Sequence, residues 1–123
     1  MSESTTRDWQ ARIERAMRYM EAYLDEDLDL EAIAKAAHFS PYHFHRIFSG
    51  MTGEPVMACL RRLRLARAAH RLAYGVRSVT ELALEAGFES PDAFGRAFRA
   101  AYGMAPSQWR GQRRDQPPVA GPL

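Results

Sequence analysis

Leu30–Phe48 reads L-E-A-I-A-K-A-A-H-F-S-P-Y-H-F-H-R-I-F, and Val79–Phe98 reads V-T-E-L-A-L-E-A-G-F-E-S-P-D-A-F-G-R-A-F. The second stretch restates the first about fifty residues later, with apolar residues, a short turn, Ser-Pro and an arginine in the same order. In the first copy Leu30, Ile33, Ala34 and Ala37 follow i, i+3, i+4, i+7, which predicts a short helix with one buried face. Asp29 is placed to cap its start. His38-Phe39-Ser40 then makes a turn, Ser40 caps a second helix, and Pro41 occupies a first position where a missing N–H costs nothing. The second copy repeats this with Ser78 as cap, Gly87-Phe88-Glu89 as turn and Ser90-Pro91 as the new start.

Helical spacing extends outward from these two units. Ile13, Met17, Met20 and Leu24, with Ala16 beside them, predict a helix from Asp8 that ends in the acidic run Asp25-Glu26-Asp27. A long helix is expected from Pro55-Val56 to about Ala73. Val56, Leu60 and Leu63 share one side of it, and Leu65, Ala69 and Leu72 share another about half a turn round. Such a face switch suits a connector packed on two separate cores. Ala105-Pro106-Ser107 opens a short last helix through Trp109. The predicted fold is all-α, with seven helices forming two helix-turn-helix units joined by a long linker helix. The first unit is placed at about 8–54, the linker at 55–74 and the second unit at 75–110, with 111–123 as a flexible tail or linker.

The predicted interior is Phe44, Ile47, Phe48 and Met51 in the first unit. In the second it is Val79, Leu82, Ala83, Ala86, Phe94, Ala97, Phe98 and Ala101. Ala34 and Ala37, matched by Ala83 and Ala86, leave room for the crossing helices. The turn needs a residue that tolerates an unusual backbone angle, which Gly87 does freely and His38 less easily.

Composition narrows the classes of function. The chain of 123 residues is 46% hydrophobic, ordinary for a globular domain. No apolar run approaches the ~18 residues of a membrane span, and M-S-E-S-T-T-R-D-W lacks a signal core, so a cytoplasmic protein is expected. The single cysteine, Cys59, cannot form an internal disulfide, which fits a reducing compartment. Residues 1–31 hold four arginines against nine carboxylates, whereas residues 32–114 hold thirteen basic residues against five acidic ones. Sixteen of the seventeen basic residues are arginine, and arginine pairs bidentately with phosphate and guanine edges where lysine does not. A basic body of this kind favours an anionic partner. His43 and His45 diverge by ~200° on a helix and make a poor metal pair. No phosphate loop or nucleophile elbow is present. Neither enzyme activity, nor a metal, nor a cofactor is expected.

On helical wheels the second helix of each unit presents a polar face: Tyr42, His45, Arg46 and Ser49 in the first, Asp92, Gly95, Arg96 and Arg99 in the second. A helix-turn-helix inserts this second helix into the major groove of DNA, N-terminal part foremost. Arg46 and Arg96 stand at equivalent places, and each can take a guanine O6/N7 pair. Tyr42 suits a phosphate or a thymine methyl, and His45 a base edge. Tyr42, His45, Arg46 and Arg96 are therefore the expected base contacts, and Ser40, Ser49, Ser90, Arg99 and Arg110 the expected backbone contacts. Arg64, Arg67 and Arg71 on the linker helix read as a solvated stripe in preference to a phosphate track. One helix pair of this kind is common in proteins that bind no DNA, and a lone arginine is usually a solvated charge. Two copies with the arginine in register argue for recognition. The competing reading is a protein-interaction module that uses the acidic first helix and the basic body.

Three phrases carry a family resemblance: I-A-K-A-A-H-F-S-P-Y-H-F-H-R-I-F (33–48), R-R-L-R-L-A-R-A-A (61–69) and L-A-L-E-A-G-F-E-S-P-D-A-F-G-R-A-F-R-A-A-Y-G-M-A-P-S-Q-W-R (82–110). Over about residues 10–110 the chain resembles the DNA-binding domain of the AraC/XylS family of bacterial transcription regulators. The resemblance implies two helix-turn-helix units on a long helix, both recognition helices in successive major grooves, and a monomer on an asymmetric site. It also implies activation through contact with RNA polymerase. The family's base-reading places fall on Tyr42, His45 and Arg46, then on Asp92, Ala93 and Arg96. Of the latter three only Arg96 is equipped to read a base. His38 departs from the usual turn glycine, and G-E-P-V-M-A-C (53–59) departs from the usual Gly-x-x-Pro, with Cys59 in place of an aromatic. Many relatives carry an effector domain or bind a small-molecule effector outside this region. The phrase at 53–65 resembles members in which a GyrI-like domain follows, with the Pro-rich end as the linker; the alternative is a stand-alone regulator.

Overall fold

A computed structural model describes residues 3–113 of the chain. Seven helices occupy them: α1 (Glu3–Ala22), α2 (Leu30–Ala36), α3 (Pro41–Thr52), α4 (Val56–Tyr74), α5 (Val79–Glu85), α6 (Pro91–Tyr102) and α7 (Pro106–Arg113). No strand is present among the described residues. The helices fall into two units, Met1–Arg61 and Arg62–Leu123, with the boundary inside α4.

In the first unit α2 and α3 pack on each other and on α1. The sequence starts α1 at Asp8, but the helix begins at Glu3. A carboxylate in the first turn favours that start, and an Arg7–Glu3 pair at 4.0 Å lies one turn further on. The helix stops at Ala22, ahead of Asp25-Glu26-Asp27, because three carboxylates at a helix C-terminus oppose the dipole. Leu24 and Leu28 are buried in the connection that follows. Asp29 caps α2 by accepting from Ala32 N at 2.8 Å. Ser40 caps α3 by accepting from His43 N at 3.4 Å. Phe44 and Phe48 are fully buried.

The turn between the paired helices is the same closed device in both copies. In the first, Phe39 N donates to Ala34 O at 3.0 Å and His38 N to Lys35 O at 3.1 Å. In the second, Phe88 N donates to Ala83 O at 3.1 Å and Gly87 N to Leu84 O at 3.0 Å. These are the two bonds of a Schellman motif, which closes a helix through one left-handed residue. That residue is His38 (φ +63°) in the first copy and Gly87 (φ +84°) in the second.

The second unit is built on α4 through Leu65, Ala68, Ala69 and Leu72, which pack with Leu82, Ala83, Ala86, Phe94 and Phe98. Trp109 of α7 stands edge-on to Phe98 at 5.7 Å and donates Nε1–H to Ala69 O at 2.9 Å. The two predicted faces of α4 are both buried: Val56, Leu60 and Leu63, and Leu65, Ala69 and Leu72.

Several expectations change. Met51 is 41% exposed instead of buried. It shares the side of Phe44 by helix angle, but in the last turn it faces Trp9 of α1 across a groove and is not covered. Ala101, its counterpart, is exposed too. Helix α7 continues past Trp109 to Arg113, so residues 111–113 are helical. The rest of the tail or linker expected at 111–123 lies outside the described residues. The arginine stripe on α4 is not a solvated face. Arg67 Nη2 donates to Glu85 O at 3.4 Å, Arg71 pairs with the Glu85 carboxylate, and Arg64 Nη1 lies 3.3 Å from where a Cβ on Gly87 would stand. Glu85 ends α5, so these cations sit at a helix C-terminus, where the dipole favours them.

Candidate nucleic-acid interface

The start of α3 decides which side chains can reach outward. With Ser40 as cap and Pro41 at the first position, Phe44 and Phe48 turn inward, and Tyr42, His45 and Arg46 are left exposed. Tyr42 is 69% exposed. The Arg46 guanidinium lies over its ring at 5.8 Å, a weak contact that leaves the cation available. Helix α3 contains no carboxylate, so its outer face is wholly neutral or basic.

Helix α6 repeats the geometry. Ser90 accepts from Ala93 N at 3.1 Å, Pro91 follows, and Phe94 and Phe98 are buried. Asp92, Arg96 and Arg99 are exposed, and Ala93 is half-buried. A Cβ on Gly95 would meet nothing within 4 Å, so the gap opposite the position of His45 is real open space. The structure thus places Arg46 and Arg96 at matching points of two matching helices.

Two of the expected backbone contacts lie elsewhere. Ser49 is half-buried, and its Oγ is buried without a hydrogen-bond partner. Arg110 donates through Nε to Leu72 O at 2.9 Å and through Nη2 to Arg77 O. It satisfies a carbonyl in the last turn of α4, which has no partner within the helix, so its guanidinium is committed to the fold. Ser40 is exposed and Ser90 half-buried. Each uses its oxygen as a cap acceptor, which leaves the hydroxyl proton to donate outward.

Sequence reasoning passed over Arg12. Its Nη1 donates to His38 O at 3.0 Å, Nε lies 3.1 Å from Asp8 Oδ2, and the guanidinium lies over the Phe39 ring at 4.8 Å. Arg12 therefore braces the turn that holds His38 in a left-handed conformation. Only the i, i+4 spacing to Asp8 was visible in the sequence, because the turn it holds lies 26 residues on.

A family model described as a helix-turn-helix domain matches residues 33–112. The regulator YbfP of Bacillus subtilis, an uncharacterised helix-turn-helix-type transcriptional regulator, is 35% identical over 83% of this chain. The chain spans about a third of that relative's length, 35%. An AraC-type DNA-binding transcriptional regulator from Chromobacterium violaceum superposes with a TM-score of 0.81 at 28% identity, covering 86% of this chain and 95% of that one. The DNA-binding domain of AdpA, solved in complex with a target DNA, superposes with a TM-score of 0.74 at 30% identity, covering 83% of this chain and 92% of that one. The chain belongs to the AraC-type helix-turn-helix family of DNA-binding transcription regulators.

Proposed function

We propose that this chain reads a specific double-stranded DNA site by inserting α3 and α6 into successive major grooves. The observation that carries this is the exposed arginine pair, Arg46 and Arg96, at equivalent positions of two Ser-Pro-capped helices. Each takes guanine O6 and N7 through its planar fork. Tyr42 and His45 add contacts from α3, while Asp92 and Gly95 add little or none from α6. Ser40, Ser90 and Arg99 hold the phosphate backbone and set the register without reading sequence. The first unit is then the stronger reading head, and the site is asymmetric and bound by one copy of the chain. RNA polymerase is the expected protein partner, and any effector domain lies outside these residues.

Site selection from random duplexes with the purified chain, followed by anisotropy titration, tests this. Enrichment of an asymmetric motif is expected, and Arg46→Ala should cost about 1–3 kcal/mol on it and relax one position. A chain that enriches no motif at low salt, or whose Arg46→Ala/Arg96→Ala double variant binds as well as the parent, does not read DNA in this way.

A further inference from the structure

The first unit carries a groove of about 830 Å³ between α1, the turn and α3, within the size range of small-molecule sites. Trp9, Phe39, Ile47 and Met51 make it apolar, Arg12 and Arg46 stand at it, and no carboxylate lines it. Its lining is not what the helix-turn-helix scaffold requires. The scaffold residues recur in the second copy, Phe44 as Phe94, Phe48 as Phe98 and Ala34 as Ala83. Part of the lining recurs as well, Phe39 as Phe88 and Arg46 as Arg96, but three residues that shape the groove do not: His43, Ile47 and Met51 are answered by Ala93, Ala97 and Ala101. Met51 in particular keeps 41% of its surface exposed, a desolvation gain left unused in the unliganded fold.

We infer that this groove is a binding site for an amphipathic organic anion, a flat or aliphatic apolar body bearing one carboxylate. The apolar walls take the body. The cations take the carboxylate, Arg46 first; Arg12 shares its charge with Asp8 at 3.1 Å and, fixed by the His38 carbonyl and Phe39, adds a second contact that needs little ordering on binding. A bare phosphate suits the rim but gains nothing from walls of Trp, Phe, Ile and Met. Arg46 belongs to both the groove and the proposed base-reading face, so a bound anion draws it from DNA, and DNA and anion each weaken the other's binding equally. This coupling rests on the DNA reading above; the site itself does not.

The probes are 2-naphthoate and its neutral isostere 2-naphthamide, titrated into the full chain without DNA and followed by amide and indole NMR shifts. Saturable shifts centred on Trp9, Phe39, Ile47 and Met51 are expected, with the amide at least tenfold weaker. Met51→Glu, an exposed substitution, should remove that preference. Gly50→Phe, built into open space at the groove, should weaken naphthoate at least tenfold. Equal affinity for the two probes, shifts that never saturate, or shifts centred on the second unit overturn the site. In a second arm, saturating naphthoate should weaken binding to the selected duplex at least fivefold in the parent and not in Gly50→Phe. An unchanged DNA affinity with the groove filled overturns the coupling. If Arg46→Ala leaves DNA binding intact, the base-reading proposal fails while the titration without DNA still judges the groove.

Discussion

His38 holds a left-handed turn position that the second copy gives to glycine. It holds φ at +63°, and its counterpart Gly87 holds +84°. A side chain in the left-handed region costs on the order of 1 kcal/mol, which glycine avoids at some cost in unfolded-state entropy. His38→Gly should therefore raise stability by roughly 0.5–1 kcal/mol, seen as a higher urea midpoint with an unchanged slope. The reverse change is disfavoured twice over, because a Cβ on Gly87 is strained by φ and lies 3.3 Å from Arg64 Nη1. Gly87→Ala should lower the midpoint. Gly95 poses the opposite case. It sits inside α6 with open space at its Cβ, so no packing demands glycine, and in a helix it costs roughly 0.5–1 kcal/mol against alanine. Gly95→Ala should recover that amount. Gly95→His, which copies His45, should sharpen discrimination at one position under α6 in a repeat of the site selection. An unchanged motif would mean that the outer face of α6 does not meet base edges.

Helices that carry their own punctuation were legible in the sequence, and those that depend on distant partners were not. Asp29, Ser40, Ser78 and Ser90 all act as the caps that local chemistry requires, so α2, α3, α5 and α6 fall where their residues put them. Periodicity also located the two buried faces of α4. The arginine stripe on α4 was misread because its partner, Glu85, lies 14 residues beyond Arg71, and no local pattern links them. Helix α7 was cut short at a polar Gly111, yet it continues to Arg113. Its anchoring comes from Trp109 and Arg110 bonded to α4 residues some forty positions earlier. Of the candidate site, the matched exposure of Arg46 and Arg96 was readable from register alone, whereas the buried Oγ of Ser49 and the bonds of Arg110 to α4 and Arg77 needed coordinates. The α6–α7 junction offers a test at this scale. Tyr102 stacks on Phe98 at 4.7 Å and meets Trp109 at 5.0 Å. Burial pushes its phenol above the ordinary value of 10.0, with Arg62 pulling part of the way back. The folded chain thus keeps that proton to higher pH than the unfolded chain does. The contribution to stability is intact below about pH 10.0 and is lost as pH rises beyond it. The melting temperature of the parent should fall more steeply between about pH 9 and 11 than that of Tyr102→Phe. Parallel curves would show that Tyr102 ionises freely.

At the scale of the whole chain the duplication is conserved in its interior and broken on its surface. The aromatic ladder Phe39–Phe44–Phe48 recurs as Phe88–Phe94–Phe98, while Tyr42, His45 and Arg46 are answered by Asp92, Gly95 and Arg96. Two unequal heads on one duplex, the proposed reading, make a specific demand. Half-sites must follow the helical repeat of DNA, about 10 bp apart, and the weaker head adds affinity only while the stronger one keeps it near its half-site. Insertion of about half a turn, ~5 bp, between the half-sites moves the second one to the opposite face of the duplex. On the parental site Arg96→Ala should cost several-fold in anisotropy titrations, less than Arg46→Ala. On the lengthened site the parent and Arg96→Ala should bind alike, because Arg96 no longer meets its guanine, whereas the cost of Arg46→Ala should be unchanged. The salt dependence separates specificity from charge. Arg99 and the rest of the basic body still meet phosphate on the lengthened duplex, so the slope of log K against log salt, which counts phosphates neutralised, should change little. An Arg96→Ala penalty that survives the insertion would make Arg96 a phosphate contact and leave α3 as the only reading head.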